Sequence, residues 1–264
     1  MQIPIYQIDA FTSVPFEGNP AAVCPLPAWL PDRTLQAIAL ENNLSETAFT
    51  VPDGDDFHLR WFTPTVEVDL CGHATLATAY LILNRLSPDR QAVAFKTLSG
   101  TLRVAREDDG LVMDFPALPP GEPMQPGAEL LAAMGAEPVE CRPIREVHGA
   151  PYLFLVYRDE AEVAALAPKF ADLGANVIAT APGDGVDFVS RFFAPMSGID
   201  EDPVTGSAHC TLTPYWAERL GVERLRARQI SARGGGLGCR LAGDRVFLAG
   251  DCAFYLEGSI EVPE

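Results

Sequence analysis

At 264 residues the chain is long enough for about two domains of ordinary size. Its 48% hydrophobic and 9% aromatic content describes a globular protein rather than a disordered one. A formal net charge of −17 repels nucleic-acid phosphates and anionic lipid, so no nucleic-acid or membrane partner is expected. A small anion stays admissible, because the field inside a pocket can oppose the global one. The six cysteines (Cys24, Cys71, Cys141, Cys210, Cys239, Cys252) are scattered without a CxxC pair and read as reduced thiols. The longest apolar stretch, Ala74 to Leu83, is far short of a membrane span, and no basic leader precedes the first strand. A cytoplasmic location is expected.

In chain order, Ile3 to Phe11 reads as a strand, Gly18-Asn19-Pro20 as a turn and Ala21 to Cys24 as a short buried strand. Asp32 is a candidate N-cap for a helix over Thr34 to Asn42, with Leu35, Ile38 and Ala39 on one face. Strands follow at Thr47 to Val51 and Leu59 to Phe62. Ala74 to Asn84 predicts a helix apolar nearly all round, which must lie at a domain centre with sheet about it. Val93 to Phe95 and Thr101 to Ala105 are strand-like, joined through Ser99-Gly100. Five prolines at 116, 119, 120, 123 and 126 resist both helix and sheet, and place a domain junction there, giving domains 1–117 and 118–264. Beyond it come strands at Tyr152 to Tyr157 and Phe188 to Phe193, then a helix after Gly206. Pro214 should kink or restart that helix, and Gly221 should cap it. The glycine-rich run Arg233 to Gly238 lacks the Lys-Ser/Thr of a phosphate loop and reads as a hairpin. The order is not that of a dinucleotide-binding fold, and no His/Cys/carboxylate set has metal spacing, so neither cofactor nor metal is expected.

One pattern occurs twice. Asp56-Phe57-x-x-Arg60-Trp61-Phe62-x-Pro64-x-x-x-Val68-Asp69 returns as Asp187-Phe188-x-x-Arg191-Phe192-Phe193-x-Pro195-x-x-x-Ile199-Asp200, at a constant offset of 131. Each copy runs into a glycine and a helix start, Gly72-His73-Ala74-Thr75 and Gly206-Ser207-Ala208-His209. A fixed-period match of this kind implies duplication of a structural unit. Two similar domains facing each other are therefore expected.

A helix start offers unpaired N–H donors and the positive dipole end, which bind carboxylate or phosphate. Gly72 and Gly206 would let such a ligand approach closely, although a glycine before a buried helix is also ordinary packing. The second copy carries three extra residues between its aspartate and its glycine, which puts Asp202 at the helix mouth; Asp-Pro is equally a routine turn initiator. His73 fits a neutral donor to an anion, or a satisfied core histidine. Cys71 fits a thiolate favoured by the helix start, or a small buried hydrophobe. Glu46, entering an apolar strand, suits general acid–base work if partly buried, and is otherwise a loop glutamate.

Four motifs in order carry a resemblance: Phe16-x-Gly18-Asn19-Pro20-Ala21-Ala22-Val23, Leu44-Ser45-Glu46-Thr47-Ala48-Phe49, Leu70-Cys71-Gly72-His73-Ala74-Thr75 and Glu201-Asp202-Pro203-Val204-Thr205-Gly206-Ser207-Ala208-His209. Together they resemble the phenazine-biosynthesis isomerase (PhzF-like) family. The resemblance implies an α+β, diaminopimelate epimerase-like fold of two similar domains, each an antiparallel sheet wrapped round a central helix, with the active site in the cleft. It implies that Glu46 moves a proton between carbons of a small carboxylate-bearing substrate, a dihydro-hydroxyanthranilate in the phenazine enzyme, without metal or organic cofactor. It assigns His73, Asp202 and Ser207 to the polar lining and the Gly72 and Gly206 amides to a carboxylate, and it implies a homodimer. The related racemases use a cysteine at each helix start; this chain has Cys71 at the first but Thr205 at the second, with Cys210 a turn into the helix. A racemase using Cys71 and a non-catalytic anion-binding protein are the alternatives.

Overall fold

The structure, a computed structural model, describes residues 1–147 and 150–263. The chain divides into two compact units, one of residues 1–115 with 247–264 and one of residues 116–246.

In the first unit, strand β1 (Gln2–Ala10) turns back antiparallel into β2 (Asn19–Pro25). Gly18 makes this return possible: its φ is +65°, and a Cβ there would sit 2.2 Å from the Ala10 carbonyl oxygen. Helix α1 (Asp32–Asn42) follows, then β3 (Glu46–Asp53), which lies parallel to β2. Strand β4 (Asp56–Phe62) is antiparallel to β3 and carries the two-residue β5 (Glu67–Val68) through Phe62↔Glu67 and Trp61↔Val68. After helix α2 (Gly72–Leu81), β6 (Ala92–Thr97) runs parallel to β4, and β7 (Gly100–Glu107) and β8 (Gly110–Pro116) continue antiparallel.

Helix α1 lays Leu35, Ile38 and Ala39 on Phe49, Phe62 and Cys24. Its start differs from expectation: the N-cap position is Pro31 and Asp32 is the first helical residue. Asp32 does not cap but accepts from Arg60 Nη1 at 2.9 Å. Helix α2 is buried at every position except Tyr80 and packs on β1, β2 and β3, as an all-round apolar sequence requires. It gives way to a π turn over Ile82–Leu86.

The second unit opens with helix α3 (Ala128–Met134) and repeats the grammar. Strand β9 (Glu140–Val147) is antiparallel to β10 (Ala150–Val156). After the short α4 (Glu160–Ala164), β11 (Asn176–Pro182) lies parallel to β10, and β12 (Phe188–Phe193) antiparallel to β11. Strand β12 carries the two-residue β13 (Glu201–Asp202). Helix α5 (Gly206–Leu220) leads to β14 (Arg224–Gln229), parallel to β12, and to β15 (Gly235–Ala242), antiparallel to β14 across the glycine-rich run. A core of Leu155, Val163, Val177, Ala179, Val189 and Phe193 joins α4 to this sheet.

Strand β16 (Arg245–Gly250) crosses from the second unit back into the first, and β17 (Cys252–Glu261) pairs antiparallel with β1 from Gln2↔Glu261 to Ala10↔Cys252. The last 18 residues thus stand with the first unit, which differs from a division at 117/118. The cause is β1, whose second edge would otherwise expose a row of unpaired backbone groups.

The strand pairings also relocate the three extra residues of the second copy. Phe62 pairs with Glu67, and Phe193 with Glu201, so Glu67 matches Glu201 at an offset of 134. Arg60 grips Glu67 through two bonds of 2.7 Å, and Arg191 grips Glu201 through bonds of 2.7 and 2.8 Å. The insertion therefore precedes Glu201, in a loop that forms a 3-10 turn at Pro195–Ser197, rather than between aspartate and glycine. Asp202 occupies the place of Val68, and Thr205 that of Cys71. Pro214 does not restart α5, which is helical without interruption from Gly206 to Leu220. The Cys210 carbonyl, which a proline four residues on cannot serve, accepts the Leu118 N–H at 2.9 Å instead. Among the described residues no helix is long and apolar enough to cross a membrane.

Candidate active site

Glu46 is the first residue of β3, aimed by the turn that ends α1, where Asn43 adopts a left-handed conformation (φ 49°). Asn42 Nδ2 ties this turn to Thr47 Oγ1 at 3.0 Å. Pairing of Glu46 with Ala21 fixes its place on the sheet. Its carboxylate Oε2 stands 3.3 Å from His73 Nε2, with the histidine side chain 5% exposed and the glutamate 18%. Cys71 Sγ lies 3.5 Å from His73 Nδ1. Burial disfavours the charged imidazole and lowers the His73 pKa to about 3. The ring is therefore neutral at physiological pH, and its 3.3 Å approach to Glu46 Oε2 is a close polar contact rather than an ion pair between two charged groups. A neutral ring has one donor and one acceptor nitrogen. Which ring nitrogen of His73 donates and which accepts, toward Cys71 Sγ as toward Glu46, is set by the tautomer.

Both residues come from the start of α2. Cys71 is its N-cap in extended conformation (φ −143°, ψ 107°) and makes no side-chain capping bond. Its carbonyl accepts the Thr75 N–H at 3.1 Å and the Thr75 hydroxyl at 2.5 Å. The amides of Gly72, His73 and Ala74 have no acceptor within the helix, so they form a donor set at its positive end.

The second unit builds a different helix start. Thr205, the N-cap of α5, turns its hydroxyl to Asp202 Oδ2 at 2.5 Å. Gln229 locks the pair: its Oε1 accepts the Thr205 N–H at 2.9 Å, and its Nε2 donates to the Asp202 carbonyl at 2.8 Å and to Thr205 Oγ1 at 3.1 Å. Asp202, Gly206 and Gln229 are buried, whereas Ser207 is exposed. His209 Nδ1 lies 2.8 Å from the Thr205 carbonyl, and burial lowers its pKa to about 4.

The six residues read from the sequence thus fall into two sets. The first unit brings Glu46 and His73 into contact beside Gly72, and adds Cys71. The second holds Asp202, Gly206 and Ser207 together at α5. Gln229 escaped the sequence reading, because it lies 24 residues beyond Thr205 at the end of β14 with no local motif. The closest cue is the repeat itself, in which β6 pairs with β4 as β14 pairs with β12, and Thr97 stands where the second copy has Gln229.

A family model described as phenazine biosynthesis-like protein matches residues 8–257. An uncharacterized isomerase of Pseudomonas aeruginosa is 52% identical over 266 residues, covering 99% of this chain and 100% of that protein. A crystal structure of a PhzF-family phenazine biosynthesis protein from Enterococcus faecalis is 45% identical, with a TM-score of 0.93 over 99% of this chain and 100% of that one. A hydroxyproline epimerase from Agrobacterium vitis shares the fold alone, at 11% identity and a TM-score of 0.61 over 98% of this chain and 92% of that one. The chain belongs to the phenazine biosynthesis-like (PhzF) family and is an isomerase on the epimerase-like α+β fold.

Proposed function

We propose that this isomerase moves a proton between two carbons of a small carboxylate-bearing substrate, a compound of the dihydro-hydroxyanthranilate kind, with Glu46 as the sole acid–base and no cofactor. The carboxylate of Glu46 takes the proton as one C–H bond breaks and returns it as another C–H bond forms, so neither oxidant nor net proton is required. Neutral His73 lies against the Glu46 carboxylate at 3.3 Å, and the amides at Gly72 cradle the substrate carboxylate. We assign Asp202, Gly206 and Ser207 to the binding of polar substrate groups at the start of α5, because that helix start repeats the first.

The observation that carries the reading is the Glu46–His73 contact of 3.3 Å at a helix start whose N-cap makes no side-chain capping bond. The repeat argues against the two-thiol racemase alternative. Thr205, in the place of Cys71, has its hydroxyl committed to Asp202 and Gln229. Cys210, one turn on, is buried, and its pKa is pushed up to about 12. A non-catalytic binding protein would have no use for a carboxylate held this way.

Proton NMR in D₂O tests it, with purified protein and a panel of the dihydro-hydroxyanthranilate, proline, hydroxyproline and diaminopimelate. Positioned acid–base catalysis contributes roughly 10²–10⁴-fold, so Glu46→Gln should lose about that much of the isomerisation while keeping the fold. Unchanged turnover in Glu46→Gln would remove Glu46 from the mechanism, and exchange that vanishes in Cys71→Ser would favour the racemase.

A further inference from the structure

Glu46 and Cys71 are 25 residues apart in sequence and belong to a strand and a helix start. Even so, one carboxylate oxygen, one sulfur and one ring nitrogen of Glu46, Cys71 and His73 all lie within 4.8 Å of one another. Among the described residues no other three His, Cys, Asp or Glu side chains come so close. His73 Nε2 is 3.3 Å from Glu46 Oε2 and 4.0 Å from Cys71 Sγ. Ligand atoms bonded at about 2.0–2.3 Å round a tetrahedral zinc lie roughly 3.3–3.8 Å from one another. From separations of up to 4.8 Å, the trio needs to contract by roughly 1–1.5 Å at most to meet that geometry.

We propose that Glu46, Cys71 and His73 form a three-ligand site for one zinc-class divalent cation, with the fourth position open on the exposed side of Glu46, and that the bound ion withdraws the Glu46 carboxylate from proton transfer. Sulfur, imidazole and carboxylate are the donor types zinc takes, and three protein ligands with one open position form a known arrangement. Charge favours it as well. A carboxylate, a thiolate and a neutral imidazole carry two negative charges, which one divalent cation cancels inside a largely buried site. The Cys71 thiol releases one proton to water as its S–H bond is exchanged for an S–metal bond, which makes uptake tighter as pH rises. Occupancy by the ion rests on geometry alone; loss of isomerisation rests on the role given to Glu46 above.

Cobalt(II) is the probe, because a thiolate ligand gives it a charge-transfer absorption that zinc lacks. Titration of the metal-free protein should raise that band to saturation at about one equivalent, release one proton per ion, and be reversed by excess zinc. Cys71→Ser should lose the band, and Glu46→Gln and His73→Asn should each weaken uptake at least about 10-fold, the scale seen even for outer-shell losses. Glu46 lies at the rim, so Glu46→Gln keeps the test alive if Cys71→Ser fails to fold by circular dichroism. No saturable band up to millimolar cobalt, or an unchanged band in Cys71→Ser, would overturn the site. A band in wild type with undiminished isomerisation would keep the site and overturn the inhibition, and with it the role of Glu46.

Discussion

Four positions after each N-cap, a side chain reaches back to the N-cap carbonyl: Thr75 Oγ1 to Cys71 at 2.5 Å, and His209 Nδ1 to Thr205 at 2.8 Å. In the second unit that choice buries an imidazole, and with His73 the protein holds two rings whose folded pKa values, about 3 and about 4, fall below the usual 6.5. Between pH 4 and 6.5 the unfolded chain then binds more protons than the folded one, so stability is complete above 6.5 and falls as the pH drops. Each ring contributes up to about 1.4 kcal/mol per pH unit in that window. Urea unfolding at pH 7.5, 6.0 and 5.0 should show a steeper loss for wild type than for His209→Asn, and equal slopes would refute the account. The contacts of these residues were the least legible part of the sequence. A motif can name Glu46 and His73, but only the turn at Asn43 determines that they touch. Gln229 has no motif at all, since its partners arrive from another strand connection.

Elements were more legible than their junctions. Strands and helices follow from period-2 and all-round apolar patterns, which depend on near neighbours. The three extra residues were misplaced because Asp69 and Asp200 match by type, whereas the Arg60–Glu67 and Arg191–Glu201 grips decide the true register. Pro214 misled for a similar reason. Its cost within a helix comes largely from an orphaned carbonyl, and the Leu118 N–H removes the orphan. A double-mutant cycle checks this. Leu118→Pro alone should cost about 1–3 kcal/mol, the price of leaving the Cys210 carbonyl buried and unmet. In a Pro214→Ala background, where residue 214 regains its N–H, most of that cost should vanish. Additive costs in denaturant unfolding would show that the two positions do not share the carbonyl.

At the scale of the whole molecule, the duplication made the architecture readable: parallel β2–β3 and β10–β11, parallel β4–β6 and β12–β14, and a helix after each two-residue strand. The return of the chain end was not readable, because β17 repeats nothing and its partner is more than 240 residues away. A fragment of residues 116–246 should therefore unfold cooperatively by itself, with dispersed amide resonances. A fragment of residues 1–115 should stay unfolded until residues 247–264 are joined to it by a linker. A well-folded 1–115 fragment would show that β17 is dispensable.

The position of β17 bears on how the protein is made. Synthesis runs from the N-terminus, and domains of a multidomain chain commonly fold in the order in which they emerge. Here the ribosome has released every residue of the 116–246 unit before the first unit receives its last strand. The half that begins first must finish second, with β1 waiting through most of translation for the partner of its open edge.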